Sequence, residues 1–394
     1  MRKVYLDHVA ANPLLPEVRK AMQPFLGEVF GNPQSLHEWG DGARDAIENA
    51  RGQVAALIGG VPEEIIFTSC GTESNNLAIK GLARAGAEKG KHIILSAIEH
   101  FSVLNAARSL QREGFEVTQV SVDKCGVVDP DEVLRNLRDD TVLVSIMLAN
   151  GEVGTVEPLA EIASRLPGGG PVLHTDAVAA VGTIPVNVKA LGVHALSLAG
   201  NPFYGPRGSA ALWVKRGVRI LPMMEGGIQE GGRRPGTEDV PAIVGMGKAA
   251  EIASRDLHNR MKQMSSLRDM LIEGVLSGIE HAILTGHPTQ RLPNYASFCL
   301  NFIEGEAILM LLNSQGIAAA SGSACTSRAL KASHVLLAMG VSHEIAQGSV
   351  LFTLGLENTE EDIKYVLEKL PGVVDRLRQM SPLYSKYLKE QGVA

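Results

Sequence analysis

The sequence predicts an α/β protein, with a mostly parallel sheet covered on both faces and a smaller α+β unit after it. Short apolar runs alternate with helical patterns: EEIIFTS precedes a helix from about Thr72, and HIILS precedes a helix through Val103, Leu104, Ala107 and Leu110. Further runs, TVLVSIML and ALSLAG, continue the series, and alternation of this kind builds βαβ units around a parallel sheet. After about Asp256 the order changes. A polar helical segment from Leu257 to about Leu276 leads into strand YASFCLNF, helix GEAILMLLNSQ, the segment GIAAASGSACTS and strand SVLFTLG. The expected division is a large α/β domain over 15–256 and a small α+β domain over 257–394 together with 1–14, the small one carrying the loop of Cys325.

The elements justify themselves in turn. In the last helix, Thr359-Glu360-Glu361-Asp362 reads as a capping box, followed by Ile363, Val366, Leu367 and Leu370 at helical spacing. The stretch LAGNPFYGPRGSAALWVK, 198–215, reads as the end of a buried strand, a loop punctuated by Gly and Pro, and a second strand. A chain of 394 residues, 45% hydrophobic and 20% charged, is long enough for one large core and a smaller domain. A net charge of −6 gives no electrostatic reason to expect nucleic acid or an anionic membrane as partner. Arg233-Arg234 is a local basic cluster suited to one small anion. The N-terminus lacks the apolar stretch of a signal peptide, and no apolar run reaches the roughly 18–20 residues of a membrane span. A cytoplasmic protein is expected. Cys70, Cys125, Cys299 and Cys325 lie far apart without C-x2-C spacing, which speaks for free thiols rather than a zinc knuckle or a disulfide framework.

Ligands of such sheets sit at the carboxyl ends of the strands, where the polar and Gly-rich segments of this chain fall. FTSCGTESNNLAIKGLA places Thr68, Ser69, Gly71 and Thr72 between a strand and a helix start. That position suits a phosphate cup, and it equally suits plain N-capping. HTDAVAAVG presents Asp176 past an apolar strand, either as the partner of a protonated ring nitrogen or as a turn residue. His100, in IEHFSVL, stands at another strand-to-helix junction, where a cap or a packed ring is the ordinary role. Cys325 lies among small hydroxylic residues in ASGSACTS, a setting that leaves a thiol accessible.

Taken together, YLDHVAANP, FGNPQSLHEWG, FTSCGTESNNLAIKG, EHFSVL, ANGEVG, HTDAVAAVG, NPFYGPRG, RRPGTEDV and SGSACTS resemble, in order and spacing, the NifS/IscS-type cysteine desulfurases of the class V aminotransferase family. The resemblance implies a homodimer of fold type I with pyridoxal phosphate (PLP) between the two domains. It also implies a loop cysteine that takes sulfur from cysteine as a persulfide and passes it to acceptors such as iron–sulfur scaffold proteins. By that resemblance Gly71 and Thr72 match the phosphate cup, and Thr237 matches a phosphate contact made across the dimer interface. His100 matches the ring that stacks on the cofactor, Asp176 the acid at the pyridine nitrogen, and Cys325 the sulfur acceptor.

One position departs decisively. Where the family reads Ser-Gly-His-Lys, this chain reads Ala199-Gly200-Asn201-Pro202, so the Schiff-base lysine aligns with Pro202, which has no side-chain amine. Lys215, about a dozen residues on, reads as a solvated charge at a strand end. Gly151 and Ala179 replace an asparagine and a glutamine beside the ring, and Leu351 replaces the arginine that grips the substrate carboxylate. The expectation is a sulfur-handling relative with a degenerate PLP site and no covalent cofactor, relaying sulfur on Cys325 or binding a scaffold protein. Two alternatives stay open: an enzyme that holds PLP non-covalently, and a pseudo-subunit paired with an active paralogue. Cys70, at a position where the family has glycine, is expected to be a packed thiol. Its alternative is a pocket-lining set with His100 and Asp176 that binds a metal or relays sulfur.

Overall fold

The computed structural model describes residues 2–322 and 332–392. Its first strand, β1 (Val4–Tyr5), pairs in parallel with a segment more than 300 residues away and so belongs to the C-terminal part of the molecule. The main sheet comprises β2 (Ile65–Thr68), β3 (His92–Ser96), β4 (Glu116–Val120), β5 (Thr141–Ser145), β6 (Val172–Asp176), β7 (Ala195–Ala199) and β8 (Ala210–Val214). Its order is β2-β8-β7-β6-β5-β3-β4. Neighbours from β7 through β4 are parallel, and only β8 runs antiparallel to β7 and β2. β2, β3, β5 and β8 are buried at every residue, the mark of strands covered on both faces.

Helices cover those faces as the apolar spacing requires. Gly71–Gly86 and Phe101–Gln111 present Leu77, Leu82, Val103, Leu104 and Leu110 to Ile66, Ile93 and Leu143 of the sheet. On the other face, Glu38–Leu57 packs along the 39-residue helix Val240–Gly278. A Cβ at Gly247 would lie 2.6 Å from Ala50 Cα, so this crossing needs glycine. The helix expected from Leu257 therefore begins 17 residues earlier and is continuous. Its first half packs with Ile47, Val54 and Leu196, whereas Leu267, Leu271 and Val275 join a second apolar cluster.

That second cluster is built on an antiparallel sheet of β9 (Ala282–Leu284), β10 (Tyr295–Leu300) and β12 (Ser349–Thr353), in the order β12-β10-β9; the short β11 (Ile317–Ala318) is the partner of β1. Val4 and Leu6 sit in it beside Phe298, Phe352, Ile363 and Val374. The helix Glu360–Met380 starts with the capping box read from the sequence: Asp362 N donates to Thr359 Oγ1 and Thr359 N to Asp362 Oδ2. Arg2 Nε donates to Asp362 Oδ1, tying the N-terminus to this cap. Among the described residues no helix is long and apolar enough to cross a membrane.

Loss of a Thr N-cap costs about 1 kcal/mol. Thr359→Ala is expected to lower stability by about that amount, read as a shift of the urea midpoint with an unchanged slope.

Candidate functional site

Because β2, β3, β5, β6 and β7 all point the same way, the chain leaving each one emerges on one edge of the sheet. There the segments around Gly71, His100, Gly151, Val178 and Pro202 surround a cavity of about 780 Å³, closed on its far side by residues such as Tyr295, Met310 and Leu351 of the second cluster's elements.

Asp176 ends β6 and is 7% exposed. Asn75 Nδ2 donates to its Oδ2 at 2.6 Å, and Val178 N to its Oδ1 at 3.0 Å. Burial raises the Asp176 pKa, an effect opposed by these hydrogen bonds and by the nearby His100. Asn75 Nδ2 also donates to Ser102 Oγ at 2.8 Å, and Ser102 Oγ lies 2.7 Å from His100 Nδ1. His100 Nδ1 accepts from Ser102 N at 3.1 Å and so caps the helix Phe101–Gln111. The ordinary role expected of His100 is thus real, and it fixes an exposed imidazole at the cavity edge.

The helix Gly71–Gly86 opens onto the cavity with Cys70 at its N-cap, and no side chain caps it. Its first-turn amides are therefore available to an anion, aided by the helix dipole. A Cβ at Gly71 would lie 2.8 Å from Val178 Cγ2, so a glycine keeps the turn close to the strand that carries Asp176. Cys70 is exposed and lines the cavity, which corrects the expectation of a packed thiol. The N-cap residue has extended backbone. Cys70, His100 and Asp176 line the same space. Among the described residues, however, no three such side chains are grouped to hold a metal ion.

The basic pair is tied in part within the chain: Arg234 Nε donates to Glu73 Oε1 at 2.8 Å, and Arg233 Nε to the Glu230 carbonyl at 3.0 Å. Glu230 itself is buried, bidentate with Arg51 at 2.8 Å on each arm, and accepts from Phe67 N. This pins the loop of Thr237 beside β2. Thr237 is exposed and lies outside the cavity of its own chain. Cys325 lies outside the described residues.

Pro202 lines the cavity, as do Gly151, Ala179 and Leu351, whereas Ala199 and Asn201 do not. Asn201 is held elsewhere: its Oδ1 accepts from Asn12 N and its Nδ2 donates to Asn12 O, both at 3.1 Å. A Cβ on Gly151 would meet nothing within 4 Å, so the side chain missing there leaves open space. Lys215 is exposed just after β8 and away from the cavity, as expected. Among the described residues, no lysine or arginine lines it.

Sequence reasoning passed over the acids. Glu99, Glu152, Asp7 and Glu306 join Asp176 in the wall. Glu99 is fully buried; its Oε1 accepts from Ser96 Oγ and Met147 N, while Oε2 has no partner. Burial pushes its pKa up to about 8. Burial likewise pushes Glu152 up to about 7, against a hydrogen bond from Ser333. His334 Nε2 donates to the Glu99 carbonyl at 3.0 Å. The one available signal was position: Glu99 sits three residues past the end of β3, and Glu152 seven past the end of β5.

Residues 4–366 match the aminotransferase class-V family. The chain is 49% identical to the cysteine desulfurase IscS 1 of Archaeoglobus fulgidus over 97% of its own length and 100% of the relative's. It is 50% identical to the cysteine desulfurase IscS of Methanosarcina thermophila over 98% and 95%. Among solved structures, a NifS-like protein superposes with a TM-score of 0.88 at 37% identity, covering 95% of this chain and 100% of that one. The NifS-like protein from Rickettsia africae gives 0.85 at 31%, with the same coverage.

The raised Glu99 pKa has a consequence for stability. Between the usual 4.5 and about 8 the folded chain keeps a proton that the unfolded chain has lost, so this group's contribution falls as pH rises through that window. Glu99→Gln removes the contribution. Relative to the variant, the parent protein is expected to lose at least about 1.4 kcal/mol, the equivalent of one pKa unit, measured by urea unfolding of both proteins from pH 5 to 8.

Proposed function

The chain belongs to the aminotransferase class-V family, and from that premise we propose that it handles sulfur as a relative of the cysteine desulfurases, on Cys325, without a lysine tether for PLP at position 202. The observation that carries this reading is Pro202 in the cavity wall, in a lining whose described residues include no lysine. The proline nitrogen is a tertiary amide nitrogen without a hydrogen and cannot condense with an aldehyde.

The rest of the wall fits a non-covalently held cofactor. The uncapped first turn at Gly71 and Thr72 would take its phosphate, Asp176 its ring nitrogen, and His100 one ring face. PLP would supply there an electron-withdrawing ring for the chemistry of amines. The chain's own groups hold and orient. Asn75 fixes the Asp176 carboxylate while its bond to Ser102 steadies His100. Leu351 offers no charge to a substrate carboxylate. A charge-assisted hydrogen bond contributes roughly 1.5–3 kcal/mol, so an α-amino acid would bind one to two powers of ten more weakly than with an arginine there.

Sulfur transfer to Cys325 needs no cofactor when a persulfide is the donor. The Cys325 thiolate attacks the outer sulfur, the donor's S–S bond breaks, and the donor leaves as a thiolate. Assembly as a homodimer is part of the proposal. Leu26, Phe30, Leu36, Trp39 and Ile228 are large apolar side chains left exposed, and Thr237 is exposed outside its own cavity, as a residue lent to a second copy would be. Acceptors would be scaffold or carrier proteins, with the cytoplasm as the place of work.

Borohydride reduction of the protein incubated with PLP, followed by peptide mass mapping, is expected to leave no pyridoxyl-lysine, whereas Pro202→Lys is expected to acquire the label at position 202. A labelled lysine in the unaltered protein, together with rapid formation of alanine and sulfide from cysteine, overturns the missing tether. Incubation with a low-molecular-weight persulfide is expected to add one sulfur to Cys325, seen as a mass increase absent from Cys325→Ser. An unmodified Cys325 overturns the relay.

A further inference from the structure

Two described residues that flank the Cys325 stretch, Gly322 before it and Ser333 after it, meet at one side chain, Glu152. A Cβ at Gly322 would lie 2.8 Å from Glu152 Oε2 and 3.6 Å from Ser333 Cβ, so the close approach needs glycine. Ser333 Oγ accepts from Val335 N at 3.1 Å and from Leu336 N at 3.3 Å as the N-cap of the helix His334–Ala338, which leaves its own proton for Glu152 Oε2. Each participant is also held from outside. Ala320 exchanges backbone hydrogen bonds with Leu351 at 2.9 and 2.8 Å. His334 Nε2 donates to the Glu99 carbonyl at 3.0 Å, and Val335 and Leu336 are buried with Ile98, Met147 and Val153. Asn150, 1% exposed, fixes the backbone of Glu152, because its Oδ1 accepts from Glu152 N at 2.8 Å.

Resting on the sulfur role of Cys325 proposed above, we propose that Glu152 is a positioning residue for Cys325, joining the two ends of the stretch that carries the thiol through Ser333 Oγ and the close contact at Gly322. The strength of the join depends on charge. Glu152 keeps some exposure, yet the protein crowded around its carboxyl pushes the pKa up to about 7, against the Ser333 hydrogen bond. The titratable groups that share its wall are Asp7, Glu99, His100, Asp176, Glu306 and His334. When the join releases, the carboxyl regains water and its ordinary value of 4.5. Release therefore becomes easier as pH rises from 4.5 towards 7 and levels off above that. The two values imply a roughly ten-fold increase in release between pH 6 and 8. The ends are thus held best on the acid side of neutrality.

The test is the rate at which iodoacetamide alkylates Cys325 between pH 6 and 8, followed by peptide mass mapping, in the parent protein and in Glu152→Gln. The variant keeps an acceptor for Ser333 but cannot become charged. Ionisation of the thiol is common to both proteins and cancels in their ratio. The parent-to-variant ratio of rates is expected to rise roughly ten-fold over this range. Amide exchange at Val335 and Leu336, the donors to Ser333 Oγ, reads the same release among the described residues and is expected to follow. Ser333→Ala, which removes the hydroxyl, is expected to be alkylated faster than the parent at pH 6 and at a similar rate at pH 8. It decides the matter alone if melting curves show that Glu152→Gln does not fold. An alkylation ratio that stays flat or falls, or a Ser333→Ala protein no faster than the parent at pH 6, overturns the inference. A ratio that rises while a persulfide adds no sulfur to Cys325 overturns the relay and leaves the positioning role standing.

Discussion

Burial of parallel strands on both faces is the constraint from which the rest of this structure follows. Once β3, β5, β6 and β7 lie side by side and parallel, their following loops have no choice but to share an edge. Residues from five distant stretches of chain then face one space. The apolar contacts that hold the strands supply the geometry, and the loops supply the chemistry at little cost to the core. The second apolar cluster, with Val4 and Leu6 drawn in from the N-terminus, places Leu351 and Tyr295 across from those loops.

Within that frame the polarity of the cavity has been redistributed. Aspartate, histidine and an uncapped helix start stand in its wall. At the places where the resemblance calls for a lysine and an arginine stand Pro202 and Leu351. The neighbour Asn201 has found a different use, in a reciprocal amide pair with Asn12 that stitches the 201–203 turn to the N-terminal segment. His8 joins the same patch through a 2.8 Å bond to Asn12. The segment that would carry a reactive lysine thus serves here as a structural clasp, and the acids opposite it are left without a cationic partner in the described wall.

A second network works at the outer rim. Glu73 accepts from Ser69 N at 2.7 Å and from Arg234, and Glu230 binds Arg51 and Phe67 N. Each carboxylate therefore joins the loop of Thr237 to β2 and the turn that leads into the helix Gly71–Gly86. Buried pairs of this kind give little net stability, because desolvation offsets much of the attraction. Their effect is to fix which way the loop lies.

How far the sequence alone reached depended on the physics of each feature. The β-strand runs, the helix starts at residues 71 and 101 and the capping box at Thr359 were all legible, because each depends on local spacing. The continuity of the helix Val240–Gly278 was not, since its exposed polar half has the pattern of a separate segment until both cores are seen to pack along it. Nor could spacing reveal that Arg234 pairs with Glu73, that Cys70 is exposed, or that Glu99 and Glu152 line the same cavity as Asp176. Those facts concern distances between residues far apart along the chain, and such distances are set only when the sheet closes and its strand ends converge.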